Sequence, residues 1–337
     1  MKKIRNILLL FVVIGLIAGC GNQANKSSGN SSEKSSGTVK MRSADVVDIN
    51  SPYTKGMEEF AKDINSATDG KLSLEHFPAG QLGNDSQILE SVKQGSIDFG
   101  LQGAIPGSAV AGAFYLPYLF QDADHLKAVI FGSTGDKIKA KIEEETGVKV
   151  IGFVPFAARM LTTNGVEVKT PEDLKGLKIR VPESPAVIEA WKELGANPTP
   201  LSFTELFTSL QTGVVDGQEN PYEIILNNSF YEVQDTLNET YHNFPVRTLI
   251  MNKEKYESLT ADQQKALEET WVEAAKSIDK MYSEQEAGYK EQLLEKGMKF
   301  VESDIESFAA KSRKVTDKLG TEIFGEEIYQ EIVELRK

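Results

Sequence analysis

The chain has 337 residues and carries 37 Lys and Arg against 50 Asp and Glu, a formal charge of −13 at pH 7. A surface this acidic makes nucleic acid and anionic lipid poor partners, while a small ligand can still meet local charge of either sign. Cys20 is the sole cysteine, which excludes an internal disulfide and a thiolate metal cluster.

The first stretch, "MKKIRNILLLFVVIGLIAGC", is not fold. Lys2, Lys3 and Arg5 precede an apolar run from Ile7 to Gly19 that is too short to span a bilayer comfortably, so 1–19 is expected to be a signal peptide. The small residues before Cys20 have the pattern of a bacterial lipobox, and cleavage there would leave a lipidated cysteine. The alternatives are a plain signal peptide or a poor membrane anchor with a chance cysteine. Losing Lys2, Lys3 and Arg5, and no acid, moves the formal charge from −13 to −16. From Cys20 to Gly37 the chain is dense in Ser, Asn and Gly and cannot bury a core, so 20–37 reads as lipidated cysteine plus flexible tether. The expected location is the extracytoplasmic face of the cell membrane, held by lipid and not inserted.

From Thr38 about 300 residues remain, enough for two domains. Ser51-Pro52 starts a helix whose apolar positions, Met57, Phe60, Ala61 and Ile64, fall on one face before Gly70. "KLSLEHF" reads as a strand, "PAGQLGN" as a loop, and Asp85 as the N-cap of a helix carrying Ile88, Leu89 and Val92 to Gly95. "SIDFGL" is a strand. Further on, "GVKVIGFVP" is a strand and "TPEDLKG" a short helix capped by Thr170. In "DLKGLKIRVPESP", Leu177, Ile179 and Val181 alternate with Lys178 and Arg180, a strand with one apolar and one cationic face. Pro182 ends it. "SPAVIEAWKELGA" is a helix, and "SFTELFTSLQTG" another, with a capping box of Ser202 and Glu205. Late in the chain, Thr260 and Gln263 cap one long helix with an apolar stripe of Leu267, Trp271, Ala275, Ile278 and Tyr282, long enough to bridge two lobes. Strands and helices in short alternation give an α/β layer architecture.

One internal echo stands out. "SVKQGSIDFGLQ" from Ser91 and "SLQTGVVDGQEN" from Ser209 align without a gap, matching Gly95 to Gly213 and Asp98 to Asp216. Each runs from a helix end through a glycine stop into a strand that ends on an amide, Gln102 or Asn220. Chance is one explanation, since this grammar is common in α/β chains. The other is two similar lobes whose strand ends face each other over a ligand.

Catalytic signatures are absent from the sequence. His76, His125 and His242 lie far apart without metal-ligand spacing, and there is no Gly-x-Ser-x-Gly elbow and no true P-loop at "GSTGDK". No metal, cofactor or catalytic residue is expected. Instead, Arg159, Arg180 and Arg247 sit in or beside strands, and Asn220 follows an apolar strand. A guanidinium fork suits a carboxylate, best when partly desolvated, and Asn220 can orient a carboxylate or hydroxyl beside it. Phe203 either floors such a site or is ordinary core.

At these residues the sequence resembles a known family. "GLKIRVPES", "GANPTPLSFTELFTSLQTGVVDGQENP", "FYEVQ", "FPAGQLGND", "LPYLF" and "RMLTTN" are similar to the solute-binding proteins of tripartite ATP-independent periplasmic (TRAP) transporters, the dicarboxylate-binding DctP-like branch. The resemblance covers nearly all of the chain from Thr38. It implies a two-lobed α/β protein of the type II periplasmic-binding-protein kind, with a long helix spanning both lobes, 38–156 with about 245–284 forming one lobe and 157–244 with about 285–337 the other. It implies a carboxylate ligand in the interlobe cleft, with Arg180 as main partner, Arg159 and Asn220 reaching the ligand, and Phe203 lining the cleft. Gln102, Asp85 and Glu183 complete the expected ligand-binding set. Arg247 stands where some members have a neutral polar residue. It either serves a second carboxylate, as for a C4-dicarboxylate, or meets an acidic neighbour and leaves the site to a hydroxy acid such as a hexuronate. The loop "LQGAIPG" has no charge, which argues against sialic acid. The implied function is capture of a small organic acid and delivery to integral-membrane permease subunits. Two alternatives stand beside it. One is a lipid-anchored enzyme on acidic sugars with Glu219, Glu183 or Asp85 as base, and the other is the binding protein of an ATP-driven importer.

Overall fold

Residues 37–336 are described by the structure, a computed structural model, so the expected signal peptide, Cys20 and all of the tether but Gly37 lie outside the described residues. Ser51 caps the first helix, Pro52–Ala67, by accepting from the Tyr53 amide at 3.2 Å, and Met57, Phe60 and Ile64 are its buried stripe. The alternating segments that follow assemble into two sheets.

In the first sheet β1 (Val39–Ala44) lies between β2 (Leu72–Phe77) and β3 (Phe99–Gln102), all parallel. β4 (Lys149–Pro155) closes the far edge, and β10 (Val246–Met251) is inserted antiparallel between β3 and β4. In the second sheet β6 (Lys178–Val181) lies between β7 (Asn197–Pro200) and β8 (Gly217–Asn220), again parallel. β5 (Arg159–Thr163) runs antiparallel between β8 and β9 (Thr236–Asn243), and β11 (Lys299–Glu302) adds an edge. Each sheet therefore receives one antiparallel strand by a direct crossing from the other, and the chain crosses a third time between β10 and β11. The two crossings, β4 to β5 and β9 to β10, touch: the Phe156 amide donates to the Pro245 carbonyl at 2.8 Å.

The sequence echo is structural. Gly95 and Gly213 take the same left-handed backbone, φ 72° and 71°, which a side chain would strain. Asp98 then grips the neighbouring parallel strand twice: its amide donates to the Arg42 carbonyl at 2.9 Å, and its carboxylate accepts from the Arg42 amide at 2.7 Å. Asp216 grips Lys178 in the same way, at 2.8 Å each. The correspondence extends to the inserted strands. Thr248 pairs with Gln102 and Met160 with Asn220, so Arg247 and Arg159, each one residue earlier, occupy equivalent places.

The long helix runs over 35 residues, Ala261–Glu295, capped by Thr260 and Gln263 as expected. Trp271 packs edge-on to Phe60 of the first helix, at 5.4 Å between centroids. Farther along, Lys290 reaches Glu239 on β9 at 2.5 Å, so the helix braces both sheets. The last helix, Glu326–Glu334, lies against Ser133–Thr146, with Lys137 paired to Glu331 at 2.6 Å. No helix among the described residues is long and apolar enough to cross a membrane.

Two local expectations differ. Asn84, not Asp85, caps Asp85–Lys93: its Oδ1 accepts from the Gln87 amide at 3.0 Å, and Gln87 answers at the Asn84 amide. Either residue type can cap, and the helix begins one residue earlier than read. The Ser202–Glu205 capping box does not form. The chain makes a 3₁₀ turn at Phe203–Glu205 before the short helix Leu206–Gln211, and the Ser202 hydroxyl pairs with Thr204 at 2.8 Å.

Asp98→Ala and Asp216→Ala should each lower stability by about 1 kcal/mol in urea unfolding, since each removes one charge-assisted hydrogen bond from a partly exposed strand end. Similar losses in the two variants are expected from the matching geometry.

Candidate functional site

The strand ends converge on a cavity of about 700 Å³, open mouth included. Val46 and Val47 follow β1, Arg180 lies in β6 with Pro182 and Glu183 beyond it, and Asn220 ends β8. Arg159 opens β5, and Arg247 comes second in β10. Asp85 enters from the start of its helix. Seven of the eight residues expected at a ligand line this space: Arg180, Arg159, Asn220, Phe203, Arg247, Asp85 and Glu183.

Arg180 is 4% exposed. Its Nε and Nη2 both donate to one oxygen, the Leu201 carbonyl, at 2.9 and 2.8 Å. Burial pulls it down to about 10, with Glu219 and Asp85 opposing and Arg159 reinforcing the fall, so it stays charged at neutral pH. A buried charge without a bonded counter-ion costs several kcal/mol.

Arg159 has a different environment. It binds Glu219 through Nε and through Nη2, the latter at 2.9 Å to Oε1, and Nη2 also donates to the Glu219 carbonyl at 2.5 Å. Burial alone would raise Glu219, but Arg159 and His242, whose Nε2 lies 3.2 Å away, hold it at about 2. Burial in turn lowers His242. The guanidinium also lies over the rings of Tyr115 and Phe156, at 5.3 and 5.7 Å. Arg159 is thus balanced in charge before any ligand arrives.

Arg247 is 5% exposed. It donates from Nη2 to the Leu101 carbonyl at 2.8 Å, and its Nε has no partner. Its guanidinium lies over Phe156 and Tyr53, at 5.4 and 5.9 Å. Asp85 keeps a buried Oδ1 without a partner. Burial raises its pKa to about 6, against the lowering pull of Arg247 and Arg180. Asn220 uses one amide hydrogen on Gln218, at 2.5 Å. Phe203 is half-buried and meets Phe230 edge-on at 6.2 Å. Glu183 is exposed at the rim.

Gln102 does not line the cavity. It is fully buried and donates from Nε2 to the Asp85 carbonyl at 2.7 Å, so it holds the helix start from behind. The sequence echo puts Gln102 and Asn220 at equivalent strand ends, but the Asp85 helix start covers only the former. The sequence reading missed Tyr115 and Phe156, which lie under the arginines, and Asn84, Ser86 and Ser202 on the wall. A search for polar residues in strands passes over such positions.

The cavity holds one balanced pair, Arg159 with Glu219, and two further cations, Arg180 and Arg247, facing Asp85. That set of charges suits an anion. Among the described residues, no group of His, Cys, Asp and Glu could hold a metal ion.

Residues 43–322 match the family model described as bacterial extracellular solute-binding protein, family 7. The 2,3-diketo-L-gulonate-binding periplasmic protein of Escherichia coli is 35% identical over 264 residues, 77% of this chain and 78% of that protein. Among solved structures, a TRAP periplasmic solute-binding protein of Roseobacter denitrificans with bound L-galactonate is 30% identical, with a TM-score of 0.81 over 89% of this chain and 99% of its own. One from Citrobacter koseri with bound D-glucuronate is 28% identical, with a TM-score of 0.83 over 89% and 100%. The chain belongs to this family of TRAP solute-binding proteins, and with them it is a binding protein rather than an enzyme.

Glu219→Gln should destabilise the protein by about 3–5 kcal/mol in denaturant unfolding, because it leaves the Arg159 guanidinium buried and unbalanced. The double variant Arg159→Met with Glu219→Gln should recover most of that loss. With a folded pKa depressed from 4.5 to about 2, the stabilisation from Glu219 is complete above pH 4.5 and is lost as pH falls through 2.

Proposed function

We propose that the protein captures a small carboxylate ligand, a sugar acid such as a hexuronate or else a C4-dicarboxylate, in this cavity and delivers it to the membrane permease subunits of a TRAP transporter. One observation carries the reading: Arg180 is buried, charged and bonded only to a single carbonyl oxygen. A ligand carboxylate would supply the missing counter-charge through two parallel hydrogen bonds. Relatives that hold galactonate and glucuronate support the same class of ligand.

The walls come from both sheets, with Arg180 and Asn220 from the second, Arg247 from the first, and Asp85 beside the first. A ligand bridging them would favour a closed cleft. The hinge would be the pair of crossings around Phe156 and Pro245, together with the long helix that carries the chain across a third time. The lipidated Cys20 and the tether would keep the body near its permease at the outer face of the membrane. That part of the proposal rests on the sequence alone.

A thermal-shift screen against hexuronates, aldonates, C4-dicarboxylates, 2-oxo acids and neutral sugars tests the reading. A ligand at a thousandfold excess over its Kd should stabilise the protein by about 4 kcal/mol. Arg180→Ala should lose about 2–5 kcal/mol of binding, and Arg180→Lys should also bind weakly, because the planar fork is gone. Shifts with neutral sugars alone, or full affinity in Arg180→Ala, would contradict it.

A further inference from the structure

Arg180 and Arg247 both face the cavity without a carboxylate bonded to them, but their surroundings differ. Arg247 lies close enough to two acids to pull on both: Asp85 within the cavity and Glu223 behind it. Glu223 is fully buried on the Tyr222–Asn227 helix, bonded through Oε1 to Asn227 at 2.9 Å, with Oε2 unpartnered. Asp85 acts more strongly on Arg247 than on Arg180, and Glu219 is engaged by Arg159 and His242, so no acid is bonded to Arg180.

Asp85 is free for a role in the cleft because Asn84 caps the helix. Its backbone is fixed by Gln102, and its buried Oδ1 accepts from nothing in the protein. That oxygen needs a donor, which a ligand hydroxyl provides and a second ligand carboxylate does not.

We propose that Asp85 is the charge selector of the cleft: ionised, it balances Arg247, leaves Arg180 as the one unbalanced cation, and so admits an acid with a single carboxylate and hydroxyls on the remainder. This rests on the carboxylate-binding reading above and decides between its two ligand classes, in favour of a monocarboxylic sugar acid over a dicarboxylate. A dianion would place its second charge beside the Asp85 carboxylate in a poorly solvated space, where like charges repel strongly. The charged and titratable groups acting on Asp85 are Arg247, Arg180, Asp45, Glu183 and Tyr115. With its pKa raised to about 6, Asp85 is ionised at pH 7.5 and largely neutral at pH 5. Acidification should therefore relax the selection against dianions.

D-galactonate and galactarate test this, because they differ only in a terminal hydroxymethyl group against a second carboxylate. In titration calorimetry at pH 7.5 the protein should bind galactonate at least tenfold tighter than galactarate. Asp85→Asn should shift that ratio at least tenfold towards galactarate. Lowering the pH to 5 should shift the unsubstituted protein the same way and shift the ratio in Asp85→Asn less, the remainder coming from Glu223, which burial raises to about 7 and which also acts on Arg247. Galactarate bound as tightly as galactonate at pH 7.5, or a ratio indifferent to both Asp85→Asn and pH, would overturn the proposal. The parallel Arg180→Ala titration separates the two levels. If it abolishes binding while the Asp85→Asn ratio stays put, only the selector fails. If it leaves binding intact, or if the protein binds neither acid, the site reading fails and the selector with it.

Discussion

A buried guanidinium that rests on one carbonyl oxygen constrains the rest of this molecule. Arg180 sits on the face of β6 that its alternation with Ile179 and Val181 assigns to charge, yet it is 4% exposed, in the wall of the cavity. Held there by Leu201, it has no counter-ion bonded to it from the protein, at an electrostatic cost. A charge buried at such a cost suits an anion as its partner. The neighbouring Arg159 shows the contrast, since its carboxylate partner is built in.

The scaffold that carries this site is built on a repeated plan. Two three-stranded parallel units, each with an aspartate gripping the adjacent strand after a glycine stop, present their strand ends to one another. Each sheet then receives an antiparallel strand from the other, and each of these begins near an arginine, Arg159 or Arg247. The cations therefore follow directly from the crossings about which a cleft would close. The 35-residue helix ties the two sheets along their outside and limits how far they can part.

Much of this was legible in the sequence. Periodicity gave the capped first helix, the long helix and the strands β2, β3, β4 and β6, and the echo gave the repeated unit. The cluster of seven lining residues could be assembled only through the family resemblance, because periodicity places no two of those strands side by side. What stayed hidden depended on long-range pairing or on competition between like residues. Asn84 and Asp85 are both good caps, so the choice between them was not fixed locally. The Arg159–Glu219 pair spans the register of β5 on β8, which no local pattern reports. Gln102 mimics Asn220 in the echo, but a helix start lies across its strand end. Tyr115 and Phe156, whose rings lie under the guanidinia, are aromatic and give no sign in the sequence of the charges above them.

The most direct test of the central claim is a crystal structure of the protein with D-galactonate bound. The expected result is a carboxylate forked onto Arg180 at about 2.7–2.9 Å, between the two sheets, with Asn220 beside it. A ligand whose carboxylate lies elsewhere, with Arg180 still bonded only to the Leu201 carbonyl, would contradict the assignment.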